Sequence, residues 1–130
     1  MNKPDKILRV CRPFGEFFRW WLKITRPFHK MKPQEIDVAA KLLEFRYDIL
    51  KQDEGMKEED VYHLLMTKDW KERIASELKI SSAHLSVLLC NLRKRGFLRD
   101  GAMSKAYIPD VTNEATYSLQ ILFQFKKEKG

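Results

Sequence analysis

From Lys71 to Leu98 the chain reads KERIASELKISSAHLSVLLCNLRKRGFL, and the placing of its apolar residues leaves few folds open. Ile74, Ala75 and Leu78 keep helical spacing. After a three-residue break, Leu85, Leu88, Leu89 and Leu92 do the same, and Ile80 stays apolar inside the break. Two short helices that cross at a tight turn can seal Ile74, Leu78, Ile80, Leu85 and Leu88 into one small core. Ala75 is small where the second helix must come close. Ser81 or Ser82 suits the N-cap of the second helix, because a serine hydroxyl accepts a free first-turn amide, and Gly96 suits its end.

The rest of the chain builds around this pair. Phe14, Phe17, Phe18, Trp21 and Ile24 fall on one helical face, opened by Pro13 and stopped by Arg26-Pro27, with a hinge expected at 26–32. Pro33 starts a helix expected over 33–52, with Glu35 and Asp37 in the first turn, where the macrodipole favours negative charge. Its expected inner face is Ile36, Ala39, Ala40, Leu43, Tyr47 and Leu50. A second short helix is expected over Lys57–Met66, carrying Val61, Leu64 and Leu65, and Thr67 is placed to cap the next one through its hydroxyl. Beyond Tyr107 the period changes to two: Tyr117, Leu119, Ile121, Phe123 and Phe125 alternate with Ser118, Gln120, Leu122, Gln124 and Lys126, which predicts a half-buried strand paired with Ala106–Pro109.

The order of these elements, and above all the phrase Leu92-Arg93-Lys94-Arg95-Gly96-Phe97-Leu98, resembles the winged helix-turn-helix superfamily of DNA-binding proteins over about residues 33–126. The fold expected is mainly α with a small antiparallel β-hairpin wing, preceded by a basic aromatic arm and amphipathic helix over 1–32 and followed by a basic tail over 127–130. The resemblance implies that helix 82–96 enters the major groove of double-stranded DNA. Ser81, Ser82, Ala83, His84, Ser86, Val87, Cys90 and Asn91 would then face bases. Lys68, Lys71, Arg73, Arg93, Lys94, Arg95, Arg99 and Lys105 would hold phosphates. No Arg, Lys or Gln stands in the first two turns of that helix, so bidentate reading of guanine or adenine is not provided. Lys79 stands where such turns often carry glycine.

Charge is arranged in blocks. Residues 1–32 carry nine Lys/Arg and two Asp/Glu, residues 33–67 four against nine, and residues 68–105 nine against four, within a total of +7. Concentrated basic segments attract polyanions through counterion release. The expected function is a transcriptional regulator of bacterial or bacteriophage type that acts in the cytoplasm by positioning and not by chemistry. Phe14, Phe17, Phe18, Trp20, Trp21 and Ile24 would either pack the aromatic helix onto its own domain or form a homodimer. The alternative is a winged-helix docking module in a polymerase, replication or virion assembly. A peripheral membrane role, with the aromatic and basic arm lying at the interface, ranks last, and Phe17–Leu22, which contains Arg19, is too short to cross a bilayer.

Catalytic and metal chemistry find no support. Cys11 and Cys90 lack metal-ligand or redox spacing, and His29, His63 and His84 do not pair with acids or cysteines at catalytic spacing. The acidic cluster Asp53, Glu54, Glu58, Glu59 and Asp60 lacks the spacing of a calcium loop and reads as a solvated face. No metal, cofactor or enzymatic activity is expected. Arg9, Arg12 and Arg19 interrupt any secretory h-region, so no signal peptide is expected either.

Overall fold

In a computed structural model of the chain, residues 7–127 are described. They form a mainly helical unit with one small antiparallel sheet. A 3₁₀ turn at Phe14–Glu16 leads into α1 (Phe17–Ile24) and α2 (Arg26–His29). Then come α3 (Pro33–Gln52), α4 (Glu58–Leu65), α5 (Lys68–Leu78), α6 (Ser82–Lys94), β1 (Leu98–Arg99), β2 (Ala102–Met103) and a 3₁₀ turn at Lys105–Tyr107.

Helix α3 is the central post. It begins at Pro33 and ends at Gln52, as the pattern predicts, and Glu35 Oε1 accepts the Lys32 amide at 2.9 Å to close the first turn. Its buried arc is wider than the expected face: Val38, Leu42, Phe45 and Ile49 are buried beside Ile36, Ala39 and Leu43, whereas Ala40, Tyr47 and Leu50 are half-buried. The reason is that α1, α4, α5 and α6 all pack on it, so one stripe does not suffice.

The N-terminal helix belongs to the same core. Phe18, Trp21 and Leu22 are buried, and the Trp21 indole donates to the Tyr107 carbonyl at 2.9 Å. Ile24, expected on this face, is exposed, and Leu22 takes its place. Phe18, Trp21 and Leu22 keep i, i+3, i+4 spacing, and a residue two steps beyond Leu22 is rotated away from them. The boundary expected at 32 is thus no break in the core.

The hinge expected at 26–32 is instead structured. Pro27 fits the first turn of α2, where its missing amide is no loss. Lys30 ends the turn in the left-handed region, and His29 and Met31 are buried. The His29 Nε2–H donates to the Leu22 carbonyl at 2.7 Å, while Nδ1 accepts the Met31 amide at 3.0 Å. Accepting at Nδ1 requires neutral imidazole, whereas the Nε2–H bond is compatible with either protonation state. Burial lowers the His29 pKa below its ordinary 6.5, opposed by the Leu22 carbonyl and aided by Arg26 and Arg95. A histidine with a depressed folded pKa stabilises the fold fully above its unfolded value and loses that contribution as pH falls. Urea midpoints should therefore be level above about pH 7 and drop on acidification below about pH 6.5. The drop should disappear in His29→Gln once that variant's own lower baseline is subtracted.

The hairpin is not where the alternation places it. Leu98 pairs with Met103 and Arg99 with Ala102, across Asp100 and Gly101 at φ 54° and 72°. Positive φ at both central residues is the two-residue turn that matches strand twist, and Asp-Gly is its preferred sequence. The Ser104 amide donating to the Phe97 carbonyl at 2.7 Å extends the contact. Ala106–Pro109 and Tyr117–Lys126 form no ladder among the described residues; part of the former lies in a 3₁₀ turn. Period two marks a chain suited to a sheet but does not supply its partner. Of the tail expected at 127–130, residues 128–130 lie outside the described residues.

Candidate nucleic-acid interface

The α5–α6 pair is set by its turn. At its C-terminal end α5 is closed by the Ile80 amide on the Ala75 carbonyl (3.0 Å) and the Lys79 amide on the Ser76 carbonyl (3.2 Å). This motif needs a left-handed residue, and Lys79 supplies it at φ 57°, ψ 44°. A side chain there costs about 1 kcal/mol relative to glycine. Lys79→Gly should raise stability by about 0.5–1 kcal/mol in urea unfolding and leave the helical circular dichroism unchanged.

Beyond the turn, Ser81 caps α6, its Oγ accepting the His84 amide at 3.0 Å. Thr67 occupies the cap position of α5, but its hydroxyl donates backward to the Leu64 carbonyl at 2.7 Å and leaves the first-turn amides alone. Gly96, at φ 82°, takes the left-handed position after α6, with the Phe97 amide on the Leu92 carbonyl. A β-carbon on Gly96 would lie 3.1 Å from the tip of the exposed Arg99 side chain, which can move aside, so the positive φ and not space is what favours glycine there.

Leu85, Leu88, Leu89 and Leu92 turn inward against Ile74 and Ala75, with Leu78 and Ile80 half-buried at the rim. What α6 leaves outside is a stripe of Ser82, Ala83, Ser86, Val87 and Cys90, all exposed, continued by Arg93 and Lys94. Ser81 is exposed at its head, while His84 and Asn91 are half-buried at its edges. The stripe is small and uncharged over its first three turns, so another surface can approach the helix backbone closely.

The cations expected on phosphate divide into two sets. Arg95 turns inward: its Nε donates to Glu35 Oε1 at 3.0 Å, and Glu35 is buried. Burial alone would push the Glu35 carboxyl up, but the Lys32 amide, Arg95 and the Asn91 side chain hold it below the ordinary carboxylate value. Arg95 is therefore a structural residue that ties the end of α6 to the start of α3. Arg73 is likewise engaged, with its guanidinium 4.6 Å from the Phe45 ring centre, 5.1 Å from that of Trp70, and paired to Glu77 at 3.2 Å. Glu77 also pairs with Lys41 at 3.2 Å, an α3–α5 link between residues far apart in the chain that no local pattern announces.

Lys71, Lys94, Arg99 and Lys105 make no ion pair among the described residues. Lys68 is 86% exposed and only 3.9 Å from Glu72, a contact of little strength. Arg93 reaches the Tyr62 hydroxyl at 3.4 Å. Lys79 is a further exposed cation, next to the head of the stripe, and was weighed above only for its turn. Its place in the turn, two residues before the Ser81 cap, is the signal.

The proposed interface residues of the N-terminal helix also divide. Phe18 and Trp21 are core, and Phe14 and Phe17 are half-buried against Tyr47 and Tyr117. Trp20 is half-buried beneath Arg12 and Lys23, whose cations lie 5.2 and 5.8 Å from its ring centre. Among these residues Ile24 alone is openly exposed. Among the described residues, no cluster of three His, Cys, Asp or Glu side chains is placed to hold a metal ion, and no helix is long and apolar enough to cross a membrane. Comparison with protein-family models, with curated proteins and with solved structures finds no match.

Proposed function

We propose that this chain is a winged helix-turn-helix protein that binds double-stranded DNA and serves transcriptional regulation. In this reading α6 lies in the major groove and the β1–β2 hairpin is the wing. The observation that carries it is the exposed, uncharged outer stripe of α6, together with Lys71 on α5, Lys79 in the turn, Lys94 at the end of α6 and Arg99 on β1, which have no acidic partner among the described residues. Small side chains let the helix approach the base edges, and free cations at the helix ends and hairpin meet phosphates on either side. Ser82 and Ser86 offer single hydrogen bonds in place of bidentate ones, so phosphate contact dominates and discrimination between sequences is modest.

Duplex binding followed by fluorescence anisotropy over a salt series tests this reading. About four phosphate contacts give a slope of roughly −4 in log affinity against log salt. Replacing Lys94 and Arg99 by Ala should lower the magnitude of that slope by about one each, equally for unrelated sequences. A chain that fails to bind duplex even at low salt contradicts the proposal. The protein-docking alternative draws on one feature, Val87, which is 57% exposed in the middle of the stripe between Ala83 and Cys90. An apolar partner would cover that stripe without any dependence on salt.

A further inference from the structure

The C-terminal segment is the least satisfied part of the described chain. Residues 117–127 lie outside any helix or strand and make no backbone–backbone hydrogen bond among the described residues. They nevertheless carry Leu119, Ile121, Leu122, Phe123 and Phe125, with exposures from 43% to 92%. The segment is anchored at its start, where the Tyr117 ring packs on Phe17 and Trp21 at centroid distances of 5.0 and 5.8 Å. A run of unpaired amides and carbonyls with period-two apolar residues is a template for pairing with another strand.

We infer that this segment pairs antiparallel with the same segment of a second copy, about a two-fold axis at Gln120. Pairing in an antiparallel ribbon sets side chains of opposed residues on one face. A centre on a residue, and not between residues, keeps the odd-numbered apolar row on one face in both strands. With the centre at Gln120, Leu119 opposes the partner's Ile121, Tyr117 the partner's Phe123, and Ala115 the partner's Phe125. On the other face Glu114 opposes the partner's Lys126, twice by symmetry, Thr116 opposes the partner's Gln124, and Ser118 opposes the partner's Leu122. Moving the centre to Ile121 sets Lys126 against Thr116 and removes both opposite-charge pairs. Moving it to Leu119 sets Phe125 against Asn113. A centre at Ser118 also opposes unlike charges, Lys126 and the partner's Asp110, so the charges narrow the registers that the apolar row permits to two, and exchanging Glu114 with Lys126 distinguishes them. Glu114 is now paired with Lys51 and lies in a bend whose Ala115 and Thr116 amides donate to Asn113 Oδ1 at 2.8 and 3.1 Å; pairing beyond Tyr117 opens this exposed turn and exchanges the exposed ion pair. The inference does not depend on what α6 binds.

Sedimentation equilibrium of the full chain over a concentration series tests it. The expected result is reversible association from 15.5 kDa to twice that mass. Ile121→Lys should leave the protein monomeric, with unchanged helical circular dichroism. Glu114→Lys and Lys126→Glu should each weaken association by about tenfold, since each creates two like-charge oppositions. The double variant, with the charges exchanged, should restore it. A wild-type chain that is monomeric throughout overturns the inference, as does a dimer indifferent to Ile121→Lys or a double variant that fails to recover.

Discussion

Replacing Arg95 by Ala is expected to lower the stability of the fold by about 2–3 kcal/mol, whereas Lys94→Ala should change it by less than about 0.5 kcal/mol. The two residues are adjacent and equally charged, yet one is a strut and the other a solvated cation. Removing the guanidinium strands the buried Glu35 carboxylate with the Lys32 amide and Asn91 alone. The cost of breaking a buried pair is mostly that of the charge left behind. Partial exposure of Arg95, 30% of its side chain, keeps the figure at the low end. A pH series checks the cause. Glu35 has a depressed folded pKa, so its contribution is present above its ordinary value and lost as pH falls. The gap between wild type and Arg95→Ala in urea unfolding should therefore narrow as pH falls below about 4.5. A gap that stays constant in acid would assign the loss to packing of the side-chain stem.

Phe97→Ala should be more damaging still, by about 3–5 kcal/mol, as is usual for truncating a buried aromatic. Phe97 is fully buried, its ring 6.4 Å from that of Tyr107, and its backbone closes α6 on one side and reaches Ser104 on the other. It joins the end of α6, the hairpin and the 3₁₀ turn whose Tyr107 carbonyl receives the Trp21 indole. Loss of the ring opens a cavity where these elements meet. Since small domains have about 5–15 kcal/mol in total, the variant should unfold at much lower urea and show weakened near-ultraviolet circular dichroism. A change below about 1 kcal/mol would mean that the junction is not packed as described.

Much of this was legible in the residues. Pro33 and the acidic first turn mark the start of α3, and the leucine spacing, Ser81 and Gly96 mark α6, because local rules govern helix ends. What was hidden depends on distant partners. In the run Arg93-Lys94-Arg95 each residue is rotated by about 100° from the last, and only the position of Glu35, far away in sequence, separates the inward one. The hairpin signal Asp100-Gly101 was present but short, and the longer alternation of Tyr117–Phe125 outweighed it. On α1 the expected face carries Ile24 in place of Leu22, because Trp20, Trp21 and Leu22 form a continuous apolar run whose period does not single out the inward side.

The central claim, that the outer stripe of α6 meets duplex DNA, is tested most directly by amide chemical shifts of the labelled chain during titration with a short duplex at low salt. The account predicts progressive shifts from Ser82 to Lys94 and at Lys79, Arg99 and Lys105, with the α3 interior unmoved. Shifts absent from α6, or confined to the N-terminal helix around Trp20, would contradict it.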